Sequence, residues 1–362
     1  MRRAICFIVL LTVLIVPLGQ SFAQDATPPA TPETTEPTLL GIKDYLAQHG
    51  QDILGHVIKL QADAQAYFNL IQSEKFDYKQ AWADHQADLT QIVLDARTQF
   101  VGTHTNGYEE IEGIVGGVPS LSKFDSWIDA SLPGKDDPSN AYDWTLKLDD
   151  GRSFDKPGNI LHYVLEVTLW GTEPDHTGLR VDLNGDGKDD LGDALPDAHF
   201  FLAGANAFVD AATQLNTAIA AWTPTLEDSF TALAVMVPTE GDLFQDWKNS
   251  IFIGGSEPIF VSQSRLVDVI GITSSLQIIY TDVSPQVAAK DATLDQQIQA
   301  GFTDLLGFIK DTHQQELDGK KFTPEQVDGL GQEAQDKADA LAALIGQAAS
   351  DLNLTLPSLQ QQ

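Results

Sequence analysis

Two groups of residues carry the chemistry this sequence offers. The first is the run DLNGDGKDDLGD, from Asp182 to Asp193. Asp182, Asn184 and Asp186 stand at its positions 1, 3 and 5, Gly187 at 6, Lys188 at 7, Asp190 at 9 and Asp193 at 12. Alternate oxygens at this spacing converge on one cation, with the Lys188 carbonyl among them, when the glycine permits a sharp turn. An oxygen-only donor set selects Ca²⁺ over Zn²⁺ or Cu²⁺. The expectation is a calcium loop with a structural role; the alternative is a solvated acidic turn.

The second group is His162 and Glu166, four residues apart in the apolar segment Ile160–Trp170. On a helix they share a face and can share a metal, iron or zinc, or a substrate. One histidine and one carboxylate do not close a transition-metal shell. Glu112, Asp268 or Glu257 would have to add oxygen ligands. If hydrolysis occurs, Glu166 is the candidate catalytic residue. The competing reading is a buried His–Glu hydrogen bond in an apolar helix. His49, His56, His85, His104, His176, His199 and His313 are scattered singly and are expected at surfaces or helix ends.

Other catalytic signatures are absent. The sequence has no HExxH, GxxxxGK or GxGxxG motif. Ser256, in the run GGSEP, lacks the second glycine of a nucleophile elbow and reads as a turn residue.

The elements that must position these groups are helical. Ile53, Val57, Leu60, Ala64, Phe68 and Ile71 recur at spacings of three and four. Residues 77–101 continue that pattern. Further helices are predicted at 160–170, 195–222, 262–281, 287–317 and 324–352. The last opens with a Thr323 cap, Pro324 and Gln326. Residues 118–157, broken by prolines and glycines, read as an irregular insertion with one short hairpin near Trp144–Phe154. No other period-2 run appears. The fold class is all-α: two helical bundles, 39–190 and 191–355, the first carrying the insertion and most of the acidic loop.

The chain has 362 residues, 52 acidic against 21 basic, and a net charge of −31. Such a balance excludes a nucleic-acid partner, whose phosphates require clustered Lys and Arg. Arg2 and Arg3, the apolar run Ala4–Val16 and the small-residue site at Ser21–Ala23 make residues 1–23 a predicted signal peptide. Cys6, the sole cysteine, would leave with it. Residues 24–38 read as a flexible linker. The expected product is an exported periplasmic or cell-envelope protein, soluble and with no membrane span after cleavage.

The segment NILHYVLEVTLWG (Asn159–Gly171), with Gly178-Leu179-Arg180 beyond it, resembles the imelysin family's GxHxxE helix, Leu-Trp-Gly step and Gly-x-Arg segment. Ser264–Asp282, with Asp268, Gln277 and Tyr280, is similar to a second family block, and Tyr108, Glu112 and Trp127–Asp129 to a third. Together they span about residues 40–352. The resemblance implies two helical bundles with a site between them, export, and often iron-linked expression; some members are described as metallopeptidases, and relatives serve in periplasmic iron uptake. The chain departs from the motif where it matters. With Glu166 aligned, Leu161 stands at the motif glycine and Tyr163 at the motif histidine. His162 is one residue early, which on an α-helix turns it well away from the family direction. Tyr163 either replaces that histidine as a ligand or fills its space.

The reading that follows is a non-catalytic, iron-linked binding or accessory protein, holding a metal ion or small ligand at the domain junction, with an envelope protein as a further expected partner. The alternatives are a metallopeptidase using His162 and Glu166, and an interaction module with a degenerate site.

Overall fold

The computed structural model describes residues 39–356; the predicted signal peptide and linker lie outside the described residues. The chain is all-α with two short hairpins. Helix α1 (Leu40–Ser73) buries the stripe Ile53, Val57, Leu60, Ala64, Phe68 and Ile71 that its sequence spacing announces. It packs against α2 (Tyr78–Thr103) and, from far along the chain, α6 (Ala198–Ala221). Each fully buried aliphatic or aromatic side chain of such a stripe contributes roughly 1.5–3 kcal/mol. Asp77 and Asp197 cap α2 and α6 by accepting from two backbone N–H groups each.

A π-helical turn, His104–Tyr108, carries α2 on into α3 (Glu109–Gly117). The insertion opens with α4 (Ser122–Asp125) and a second π-turn, Ser126–Ala130. Its hairpin pairs β1 (Thr145–Lys147) with β2 (Ser153–Asp155), where the sequence places it. The predicted helix 160–170 is a π-helical segment, Ile160–Glu166, followed by α5 (Val167–Trp170).

The acidic loop is bracketed by a pairing the sequence pattern misses, β3 (Thr177–Arg180) with β4 (Ala194–Pro196). These strands are too short to show an alternation. Arg97 on α2 ties both ends of this region down, donating to the carbonyls of Leu169 and Gly192 at 2.7 Å each.

Beyond α6, Trp222 caps the helix end, as expected. Residues 226–249, unassigned from sequence, form α7 (Leu226–Met236) and α8 (Glu240–Asn249), separated by a 3₁₀ turn at Pro238. The predicted break near residue 282 does not occur: α9 (Arg265–Lys290) runs through Pro285. Burial of Val283 and Val287, on either side of the proline, keeps the helix in the core. Helices α10 (Ala292–Leu317) and α11 (Pro324–Asp351) complete the bundle, the latter with the full Thr323/Gln326 capping box. Among the described residues α9 alone has the length and apolarity to cross a membrane, and its apolar face is buried in protein.

Helix α3 packs on α9 and α7. The approach is close because the residues at the crossing are glycines. A Cβ on Gly271 would lie 2.6 Å from the Glu109 carbonyl oxygen, and one on Gly113 would lie 2.5 Å from Ser275 Oγ.

Candidate metal centre

The three π-turns point at one place. An i→i+5 turn takes in one more residue than an α-turn, and such turns are frequent at functional sites. The first supplies His104, with Glu109 and Glu112 just beyond it; the second supplies Asp129; the third supplies His162 and Glu166. Helix α9 adds Arg265 and Asp268 from its first turn. All eight side chains are buried, Arg265 the least so at 6% exposed.

His162 is where the sequence expectation fails. It does not turn away from the centre, because the extra residue in the π-turn absorbs the one-position shift. Its Nδ1 lies 2.9 Å from Glu166 Oε2 and its Nε2 lies 2.8 Å from Asp129 Oδ1. Asn159 sets the turn's start: its side-chain oxygen accepts from His162 N at 2.7 Å, and its amide donates to the Asp129 carbonyl. Tyr163 projects the other way, into a cleft of about 670 Å³ that Phe154, Val167, His176, Phe200 and Glu257 also line. Tyr163 therefore fills no ligand position in this cluster.

Glu166 is fully engaged. Besides His162 it accepts from the backbone N–H groups of Phe260, Val261 and Ser262 at 2.8, 3.0 and 2.9 Å. Phe260 has φ +54°, a left-handed conformation unusual for a bulky residue. Its ring sits 4.4 Å from the His162 ring, with the Arg265 guanidinium 4.4 Å over its face. Burial alone would raise the Glu166 carboxyl, but the His162 and Ser262 hydrogen bonds outweigh it and hold the group down at about 2.

His104, read from sequence as one of the scattered histidines, is at the centre. Its Nδ1 is engaged by the Gln263 amide at 2.7 Å. Its Nε2 faces Glu109 Oε1 at 2.7 Å, Asp268 Oδ1 at 3.7 Å and Asp129 Oδ1 at 3.9 Å. Arg265 donates to Asp268 Oδ2 at 2.8 Å.

The contacts of His104 Nε2 with Glu109 and of His162 Nε2 with Asp129 are charge contacts that lack hydrogen-bond direction. His104 Nε2, His162 Nε2, Asp129 Oδ1 and both Glu109 oxygens have no hydrogen-bond partner despite being buried. Buried polar atoms are ordinarily paired, because an unpaired one loses its hydration with no return. Donor atoms of His104, Asp129 and His162 lie within 4.8 Å of one another. Imidazole and carboxylate atoms converging in this way fit a transition metal.

The charges follow the same geometry. Burial would lower His162, yet facing Asp129 and Glu166 raises it to about 10. Burial would raise Asp129, but His162 outweighs it and holds that carboxyl below the usual range. Glu109 and Glu112 are pushed well up, by burial first and then by neighbouring carboxylates.

A family model for imelysin, Peptidase M75, matches residues 161–346. The chain belongs to the imelysin family. No curated protein matches it. The matched segment carries His162, Glu166, Arg265 and Asp268, while His104, Glu109, Glu112 and Asp129 precede it.

Of the residues predicted from sequence, His162, Glu166, Glu112 and Asp268 come together. Glu257 does not; it lines the cleft on the Tyr163 side. Tyr280 lies off the centre, donating to Asp295 at 2.9 Å. Sequence reasoning missed His104, Glu109, Asp129 and Arg265 as site residues, and no linear spacing connects them to His162.

The acidic loop is a separate locus. Asp182 accepts from the N–H groups of Gly185, Asp186 and Gly187, and Asp193 from those of Leu183 and Asp190. Gly185 and Gly187 hold φ of +76° and +81°, conformations that glycine adopts without strain. Carboxylate oxygens of Asp182, Asp186 and Asp193 lie within 4.8 Å of one another.

Proposed function

We propose that this imelysin-family protein is an exported, non-catalytic metal-binding protein of the periplasm or cell envelope, that its metal is iron, and that a calcium ion stiffens its acidic loop. One observation carries the reading: the buried, unpartnered Nε2 and Oδ1 atoms of His104, His162 and Asp129 converge on one point. Those three residues would hold the metal, Glu166 fixing the His162 ring from behind, as outer carboxylates do for ligating histidines.

The metallopeptidase alternative has less support. A general base must reach the proton it abstracts. Both Glu166 oxygens already accept hydrogen bonds from His162 and from the backbone of residues 260–262. Asp182, Asn184, Asp186, Lys188 through its carbonyl, Asp190 and Asp193 would hold the calcium. An envelope partner that receives or delivers iron fits this role.

Elemental analysis of protein purified without chelators tests the reading. Iron is expected in the wild type and lost in a His162→Ala/Asp129→Asn double variant, while calcium is lost only in Asp186→Ala. A wild type that binds no iron or other transition metal, even after incubation with ferrous iron, overturns it and leaves an interaction module.

A further inference from the structure

Three donors, His104, Asp129 and His162, suffice for the proposed metal, and they leave two buried carboxyls unexplained. Glu109 and Glu112 stand one turn apart at the start of α3, 0% and 4% exposed. Both oxygens of Glu109 and Oε2 of Glu112 have no hydrogen-bond partner. Oxygens from Glu109, Glu112 and Asp129 lie within 4.8 Å of one another, as do donors from His104, Asp129 and His162. Asp129 belongs to both groups. The guanidinium in the cluster, Arg265, is bound to Asp268 and donates no hydrogen bond to either glutamate.

We infer that the cluster is a two-cation centre, one metal at His104, Asp129 and His162 and a second at Glu109, Glu112 and Asp129, with the Asp129 carboxylate bridging them. The inference rests on the metal-binding reading above. Charge counting agrees with it. In the doubly loaded state, with Glu109, Glu112, Asp129, Glu166 and Asp268 all ionised and the histidines neutral, Arg265 and two divalent cations would balance the five carboxylates. The donor sets also differ in kind. The first offers two imidazoles and one oxygen; the second is three carboxylates, a hard set suited to Mn²⁺ or Fe²⁺. Carboxylates projecting inward from facing helices are the usual frame of such paired sites in helical bundles.

Manganese is the probe that reads both number and proximity. The titration uses the Asp186→Ala protein, so that the acidic loop does not add its own ion, and follows bound metal together with the paramagnetic resonance spectrum. The expected result is two equivalents of Mn²⁺ per chain, with the six-line signal of an isolated ion lost as the second binds, because a shared carboxylate couples the pair. Glu112→Gln, of nearly the same shape, should take one equivalent and keep the six-line signal. His162→Gln should lose the first site. Saturation at one equivalent in the parent protein, with Glu112→Gln indistinguishable from it, overturns the second cation and leaves the single-metal reading standing. No binding in any of the proteins overturns both. The parent titration needs no substitution in the cluster, so a variant that fails to fold does not leave the question open.

Discussion

Glu166 Oε2 lies 2.9 Å from His162 Nδ1, and the same carboxylate gathers the backbone N–H groups of three consecutive residues, 260–262. The histidine is thus fixed to a loop nearly a hundred residues away through one side chain. In Glu166→Gln an amide NH₂ would face N–H groups that need an acceptor. The expected loss is about 2–4 kcal/mol of stability, with metal affinity about 10–100-fold weaker. Denaturant unfolding at unchanged slope, followed by a metal titration, measures both. A variant within about 0.5 kcal/mol of wild type would show that the clamp is not stabilising.

The crossing of α3 and α9 decides where Glu109, Glu112 and Asp268 meet. Gly271→Ala places a methyl 2.6 Å from the Glu109 carbonyl oxygen, a backbone atom that cannot swing aside. We expect about 1–3 kcal/mol of destabilisation from overpacking and weaker metal binding. Gly307→Ala on α10 is the control, since a Cβ there meets nothing within 4 Å. It should stabilise the protein by roughly 0.4–1 kcal/mol. Equal effects at the two sites would contradict the close crossing.

Calcium should raise the melting temperature of the wild type and a chelator should lower it, because an ion that binds only the folded loop stabilises by mass action. Asp186→Ala removes one of the three converging carboxylates and leaves the backbone bonds to Asp182 in place. Its melting temperature should not respond to calcium. Isothermal titration with calcium gives an independent reading: heat in the wild type, none in the variant.

His176 makes stability depend on pH below neutrality. Burial is the main cause of its depression to about 4, and its ring is stacked 3.8 Å from that of Phe200. The unfolded chain takes up this proton near pH 6.5, before the folded protein does. The contribution is therefore complete above pH 6.5 and is lost as pH falls toward 4, amounting to up to about 3 kcal/mol. His176→Gln should flatten that part of the curve. Unfolding free energies at pH 7 and pH 4.5 give the comparison, and parallel losses in both proteins would assign the acid sensitivity elsewhere.

Much of this protein is legible in its sequence because the signals are local. Helical class follows from apolar residues at spacings of three and four, the hairpin from its turn residues, and the α11 start from Thr323, Pro324 and Gln326. The Asp182–Asp193 spacing and the His162–Glu166 pair are likewise matters of a few residues along one strand of chain. The tertiary structure alone decided the rest. Three π-turns, invisible to a 3.6-residue period, re-aim His104, Asp129 and His162, and they turn the one-residue departure at Tyr163 into a centred His162. The glycine-lined crossing of α3 and α9 then brings Glu109 and Glu112 up to Asp268 across more than 150 residues of sequence. Side chains that distant share no linear pattern, and carboxylates and imidazoles tolerate burial together only where the fold packs them against one another or against a cation.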